Sequence, residues 1–342
     1  MDAFYVSVEL RRRPELRGLP VVVAGSGPRA VVTTASYEAR KFGVGSAIPA
    51  SRARRLCPQG VFLTPDFAYY REASREVMTI VRAHADTVEV IGLDEAYLEL
   101  TGGDDPVGAM RAMRAEIESQ TGLSSSVGIG PSKLVAKVAS DAEKPRGFVV
   151  LSRAAACERF GGSPCGLVPG IGPKTVERLA GLGIRTLGEL AAVPSEVLGA
   201  RFGTRFGAEL QRRARFEDDS PVTEERKVVS ESRETTFDRD LTSLPALESV
   251  LEDLVVRLCR ALVDQGRGGR TIGIKVRLDD FSTHTRARTL PEPVSSPERV
   301  GAVALDLLRR FDPSRPVRLL GVRVAGLEPV GAEAEAQLTL AV

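Results

Sequence analysis

The chain has 342 residues, 43% hydrophobic and 27% charged, with a formal net charge of +2. At about 150 residues per domain that length implies two or three domains, and the apolar share suffices for a sizeable core. No stretch nears the ~20 consecutive apolar residues of a membrane span, which excludes a bilayer-crossing protein. The opening Met1-Asp2-Ala3-Phe4 has no basic region followed by an apolar one, so no signal peptide and a cytoplasmic location are expected. Cys57, Cys157, Cys165 and Cys259 are scattered without a CxxC pair, which argues against a zinc site or a disulfide framework. With only two histidines in the chain, any catalysis must rest on carboxylates. Arginine makes up most of the basic residues, and it forms the better bidentate contact to phosphate.

In chain order, Val21–Ala24 and Val31–Thr34 read as short strands, and a helix is expected from about Ala35 to Gly43, where glycine stops it. A helical stripe follows at Ala73, Val77, Ile80 and Val81. Val88–Leu100 alternates as strand on both sides of Asp94-Glu95, and Ser132–Ala142 reads as helix before Lys144-Pro145-Arg146-Gly147. Residues 165–215 are short helices punctuated by glycine, and Glu217–Lys227 is a charged stretch without hydrophobic period, the best linker candidate. Beyond it come a strand at 228–237, a helix at 246–263, strands at 271–279 and 283–290, a helix at 297–311 and a strand at 317–326. That βαββαβ order is a ferredoxin-like domain. Ile272, Ile274, Val276 and Leu278 point one way along their strand, while Lys275 and Arg277 point the other, joined at the same period by His284, Arg286 and Arg288. Such a cationic open face can lie on a phosphate backbone, although an ordinary solvated sheet face reads the same.

Three motifs carry chemistry. Asp94-Glu95 at a strand end would hold divalent cations between oxygen donors; a charged hairpin tip is the commoner alternative for such a pair. Thr34, Tyr37 and Arg40 share a face at the start of a helix, offering a hydroxyl, a phenol and a guanidinium to a polyphosphate beside free helix N–H groups; a capped amphipathic helix is the plainer alternative. Pro169-Gly170-Ile171-Gly172-Pro173-Lys174, with Gly181-Leu182-Gly183 beyond, resembles a helix-hairpin-helix that grips a DNA backbone without reading sequence.

Taken together, Met1–Glu9, Ala35–Val44, Leu93–Tyr97, Val127–Lys133, Lys144-Pro145 and the segment 169–183 resemble the Y-family of DNA polymerases, most nearly its bacterial DNA polymerase IV branch, along nearly the whole chain. The resemblance implies an α+β fold in a right-hand arrangement: ferredoxin-like palm and small fingers (1–153, fingers about 11–62), a helix-hairpin-helix thumb (154–216), a linker (217–227), a ferredoxin-like little finger (228–328) and a tail (329–342). It implies a Mg²⁺-dependent, template-directed DNA polymerase of low fidelity that carries out translesion synthesis.

The resemblance also assigns residues. Asp94 and Glu95 are the expected catalytic carboxylates for two Mg²⁺ ions, with the Met1 carbonyl as a further ligand. Tyr5 is the expected steric gate against a ribose 2′-hydroxyl, beside Phe4; Thr34, Tyr37, Arg40 and Lys144 are the expected triphosphate ligands. Gly170, Gly172, Lys174, Lys275, Arg277, Arg286 and Arg288 are expected on DNA, and Gln337, Leu338 and Leu340 on a sliding clamp, against an ordinary tail. Primer-template DNA and deoxynucleoside triphosphates are the expected partners of a monomer that touches no membrane. Two departures stand out: the family's first strand, ending in a metal-ligating aspartate, precedes the Met-Asp-Ala-Phe segment, and Gly92 replaces a more usual serine. From the first comes the expectation of a truncated or misassigned start, folded but nearly inactive. A non-catalytic DNA-binding accessory and a palm-fold nucleotidyl cyclase are the alternatives. Retention of Asp94, Glu95, Arg40 and Lys144 argues against the first, and the helix-hairpin-helix and basic-faced terminal domain against the second.

Overall fold

The computed structural model describes residues 1–101, 105–224 and 228–329; the expected clamp-binding residues Gln337, Leu338 and Leu340 lie outside them. Chain contacts divide the protein into two units, one of Met1–Ser26 with the chain from Ala30 up to the charged stretch, the other of Gly27–Arg29 with the chain beyond it.

The first unit opens with helix α1 (Phe4–Arg12), entered through Ala3 in the left-handed region at φ 45°. Strands β1 (Val21–Ala24) and β2 (Val32–Ala35) pair antiparallel, and helices α2 (Tyr37–Arg40) and α3 (Ala50–Leu56) lead to β3 (Val61–Leu63), parallel to β1. Helix α4 (Phe67–Ala83), capped by the Asp66 carboxylate on the Tyr69 N–H, buries Ala73, Val77, Ile80 and Val81 along the expected stripe. Strands β4 (Thr87–Val90) and β5 (Ala96–Glu99) form the hairpin around Asp94-Glu95, and helix α5 (Pro106–Thr121) packs beside α4. Strand β6 (Val127–Ile129), helix α6 (Lys133–Ala142) and strand β7 (Phe148–Val150) follow. The palm strands therefore make two separate two-stranded sheets, β4-β5 and β6-β7, rather than one ferredoxin-like sheet. A Cβ on Gly128 would sit 2.1 Å from the Ala136 carbonyl, so only glycine lets α6 lie on β6 this closely.

Helices α7 (Arg153–Phe160), α8 (Pro173–Ala180), α9 (Leu187–Ala192), α10 (Ser195–Phe202) and α11 (Thr204–Ala214) build the glycine-punctuated region around Leu179, Leu187, Leu190, Leu198 and Leu210. The charged stretch after them is not loose along its first half. Asp218 accepts the Leu134 N–H at the start of α6, and Lys133 reaches the Pro221 carbonyl. Charged side chains served local pairing there, which a search for hydrophobic period does not see.

The second unit contains strand β8 (Ser230–Leu241), helix α12 (Leu244–Asp264), strands β9 (Arg267–Leu278) and β10 (Thr283–Val294), helix α13 (Pro297–Phe311) and strand β11 (Val317–Pro329), in the sheet order β10-β9-β11-β8. Leu247, Leu251, Leu254, Leu258 and Leu262 of α12 meet Ile272, Ile274, Val276 and Leu278 of β9 in one core. Each such burial contributes roughly 1.5–3 kcal/mol. The register corrects one expectation. Lys275 and Arg277 lie opposite Thr285 and Thr283, whereas His284, Arg286 and Arg288 lie opposite Val276, Ile274 and Ile272. Residues directly opposite in an antiparallel pair share a face, so Arg286 and Arg288 are on the helix side. Arg288 indeed ion-pairs with Asp306 of α13, and Arg286 covers the Phe311 ring.

No helix among the described residues is long and apolar enough to cross a membrane. Three cysteines are buried and Cys157 alone is exposed. Burial pushes the Cys259 thiol up to about 12.

Candidate active site

A cavity of about 280 Å³ is lined by Phe4, Tyr5, Thr34, Tyr37, Arg40 and Lys144, together with Met1, Asp94 and Ser46. Five pieces of chain deliver these groups, the loop that carries Ser46 among them. Helix α1 presents Phe4 and Tyr5, and the junction of β2 with α2 presents Thr34, Tyr37 and Arg40. The β4-β5 hairpin brings Asp94, and the loop after α6 brings Lys144. Thr34 stands on a strand, not on a helix, and α2 is a single turn whose Ala39 N–H is taken by the Ser36 hydroxyl. The expected nine-residue helix with free N–H groups is thus absent; the three side chains converge from a strand-helix corner instead.

Polar atoms in the cavity are arranged for an anion. The Tyr37 hydroxyl is buried without a hydrogen-bond partner, and its ionisation is pushed up by that burial. The Arg40 guanidinium covers the Tyr37 ring at 4.5 Å, donates from Nε to the Ala35 carbonyl at 3.0 Å and lines the cavity. Lys144 is held by Asp141 at 2.7 Å. Asp2, buried to 2% exposure, anchors this wall: its carboxylate accepts the Arg146 N–H at 2.9 Å and the Ser126 hydroxyl at 2.7 Å. Asp2 thereby fixes the loop that carries Lys144 and is turned to structure rather than to metal.

The two acidic neighbours share one cavity of about 490 Å³, and only Asp94 also lines the smaller one. Burial raises the Asp94 carboxyl, and the negative charge of Glu95 adds to the rise. Glu95 accepts a hydrogen bond from the Lys137 Nζ at 2.6 Å, within the larger cavity that Asp94 also lines. Met1 lines both cavities, its ammonium donating to the Asp94 carbonyl at 2.7 Å. Among the described residues no three metal-ligating side chains cluster. The donors present nevertheless suit a hard divalent cation. All are oxygens, and the like charge and burial that raise Asp94 are what a cation between the pair would relieve.

Ser46 escaped sequence reading. The signal for it was the Gly43-Val44-Gly45-Ser46 turn, where Gly43 at φ 77° and Ala47 at φ 67° fold the loop back toward the cavity. Elsewhere, Gly170 adopts φ 89° in the loop before α8, Gly172 caps that helix, and Lys174 is exposed on its first turn. Arg213 steadies the loop through the Pro169 carbonyl at 2.6 Å.

Comparison with known proteins bears on family and fold. The impB/mucB/samB family matches residues 1–141, its C-terminal domain residues 228–340, and a thumb domain described for DNA polymerase-iota residues 166–218. DNA polymerase IV of Methanoculleus marisnigri is 42% identical over 335 residues, 96% of this chain and 93% of the relative. DNA polymerase IV of Xanthomonas campestris is 42% identical over 343 residues, 98% and 95% of the two chains. Among solved structures, a Y-family DNA polymerase chimera of Dbh and Dpo4 superposes with a TM-score of 0.86 at 25% identity, covering 96% of this chain and 98% of its own. An insertion ternary complex of Dbh DNA polymerase gives 0.66 at 26% identity, with coverage of 96% and 98%.

The chain belongs to the Y-family of DNA polymerases. Its place there is beside the DNA polymerases IV, and its activity is DNA-directed, metal-dependent DNA polymerisation of the translesion kind.

Proposed function

We propose that the 280 Å³ cavity is where an incoming deoxynucleoside triphosphate is held for transfer to a primer end, with Asp94 and Glu95 as the carboxylates that hold Mg²⁺. The observation that supports this most is the convergence of the Arg40 guanidinium, the Lys144 ammonium, the Tyr37 phenol and the Thr34 and Ser46 hydroxyls on one cavity that also contains the half-buried Asp94 carboxylate. When bound, Mg²⁺ would neutralise charge on the phosphates and lower the cost of ionising a primer hydroxyl. The protein's own part is positioning. Arg40 and Lys144 attract the triphosphate, the unpartnered Tyr37 hydroxyl donates to one of its oxygens, and Thr34 and Ser46 offer further hydroxyl donors. Tyr5 closes the sugar end, so that a 2′-hydroxyl meets the ring. Fixing the reactants in this way removes several kcal/mol of the barrier without a protein-derived covalent intermediate.

The Lys275 and Arg277 face of the second unit, with Arg323 opposite Gly273 on the neighbouring strand, is the proposed resting place of duplex phosphates, with Gly170, Gly172 and Lys174 as a second backbone grip. Arg286 and Arg288 contribute at the strand edge at most. The test is single-nucleotide primer extension with Mg²⁺. Asp94→Asn should lower the rate on the order of 10³-fold while DNA binding persists, and Tyr5→Ala should raise ribonucleotide use relative to deoxynucleotide use by orders of magnitude. An Asp94→Asn protein that extends at the parent rate would refute the assignment.

A further inference from the structure

A buried carboxylate outside the cavity has no part in that scheme. Glu9, on α1, is 1% exposed, and a charge so placed must be matched by partners. The Tyr70 hydroxyl of α4 donates to its Oε1 at 2.7 Å. Arg12 grips both Glu9 oxygens, at 3.1 Å from Nε and 3.0 Å from Nη2, and reaches Asp66 with Nη1 at 3.0 Å. Asp66 in turn caps α4 through the Tyr69 N–H, and Arg12 also covers the Tyr69 ring at 4.4 Å. The chain of contacts Asp66, Arg12, Glu9 and Tyr70 thus rivets the start of α4 to the middle of α1.

What lies on top of this rivet is the Tyr5 ring. It packs on Tyr70 with centroids 4.7 Å apart, on Phe67 edge-on at 5.9 Å, and beside Phe4 at 5.5 Å. Phe67 and Tyr70 are themselves in edge contact at 5.8 Å. Tyr70 is fully buried, so the Tyr5 ring has a solid floor. A steric gate discriminates over tenths of an ångström, because repulsion rises steeply only once atoms touch. A ring able to sink by that much would admit a hydroxyl.

We propose that Tyr70 and Glu9 are positioning residues for sugar selection: the hydrogen bond between them, locked by Arg12, keeps Tyr5 from receding when a 2′-hydroxyl presses on it. The inference rests on the reading of Tyr5 as the gate. Tyr70→Phe keeps the ring and deletes only the bond. Arg12→Gln, at the partly exposed rim, loosens Glu9 and gives up the contact over Tyr69, but it leaves the rings around Tyr5 as they are.

The experiment measures kcat/KM for a ribonucleotide and its deoxy counterpart with the full chain, beside a thermal melt of each variant. Tyr70→Phe should lower sugar discrimination about tenfold, with deoxynucleotide kcat/KM within about threefold of the parent. Arg12→Gln should move discrimination in the same direction, by less. A general structural role would depress both substrates together and leave their ratio unchanged. If Tyr5→Ala abolishes discrimination while Tyr70→Phe and Arg12→Gln leave it within twofold, the rivet does not position the gate and the proposal fails, with the gate reading intact. If Tyr5→Ala itself leaves discrimination unmoved, both fail.

Discussion

Asp2 shows how a residue next to a functional segment acquires a structural task. Its N–H donates to the Ser124 carbonyl, its backbone carbonyl accepts the Ser7 hydroxyl, and its carboxylate ties Ser126 to Arg146. One side chain therefore holds α1, with Phe4 and Tyr5, against the loop that bears Lys144. Asp2→Ala would leave the Arg146 N–H and the Ser126 hydroxyl short of an acceptor; both bonds are only part-buried, so each loss costs about 1 kcal/mol. The expected outcome is a clear drop in melting temperature and a raised KM for the incoming nucleotide, with Asp2→Asn intermediate because one oxygen survives. Calorimetry and steady-state kinetics check it. A lowered melting temperature with an unchanged KM would show that the loop holds its place without Asp2.

At the level of elements, the second unit was almost fully legible because its signals are long and separate. Five leucines recur along α12, and a strict alternation marks β9. What the pattern could not give was facing across the β9-β10 hairpin. Parity on the returning strand depends on the number of residues in the turn, so period two alone places His284, Arg286 and Arg288 on either side. In the first unit α1 hid behind its own pattern. Its buried Phe4, Val6 and Val8 alternate as in a strand, and only packing against β1, β2 and α4 makes the segment helical. The candidate cavity was legible residue by residue, through the family resemblance, while the pairing of Glu95 with Lys137 comes from α6 packing beside the hairpin, which spacing does not reveal. The corrected facing has a measurable result. If the open face lies on phosphates, Arg277→Ala and Arg323→Ala should each reduce the slope of log K against log salt concentration by about 1. Arg288→Ala should leave the slope alone and lower thermal stability instead, since its partner is Asp306. Equal slope changes for all three would mean that the phosphate contacts are not confined to the open face.

At the scale of the molecule, the buried side chains among the described residues gather into four separate cores, two of them between the elements that line the cavity. Cores of this kind open independently, with free energies between almost nothing and the global value. The cysteines happen to be dealt out among them. Cys57 sits in the core behind β1, β2 and α2, Cys165 in that of α8 to α11, and Cys259 in that of the second unit. A buried thiol reacts only when its surroundings part, so alkylation becomes a set of three clocks with Cys157 as the unprotected reference. Mass spectrometry after timed exposure to an alkylating reagent should find Cys157 labelled first and the other three at distinct later rates. Adding primer-template and deoxynucleotide should slow the Cys57 clock, whose core underlies Thr34 and Tyr37, and leave that of Cys259 less affected. Three identical rates would instead mean that the whole chain opens at once. The sparing use of cysteine thus turns an unlabelled enzyme into one that reports its own breathing, core by core.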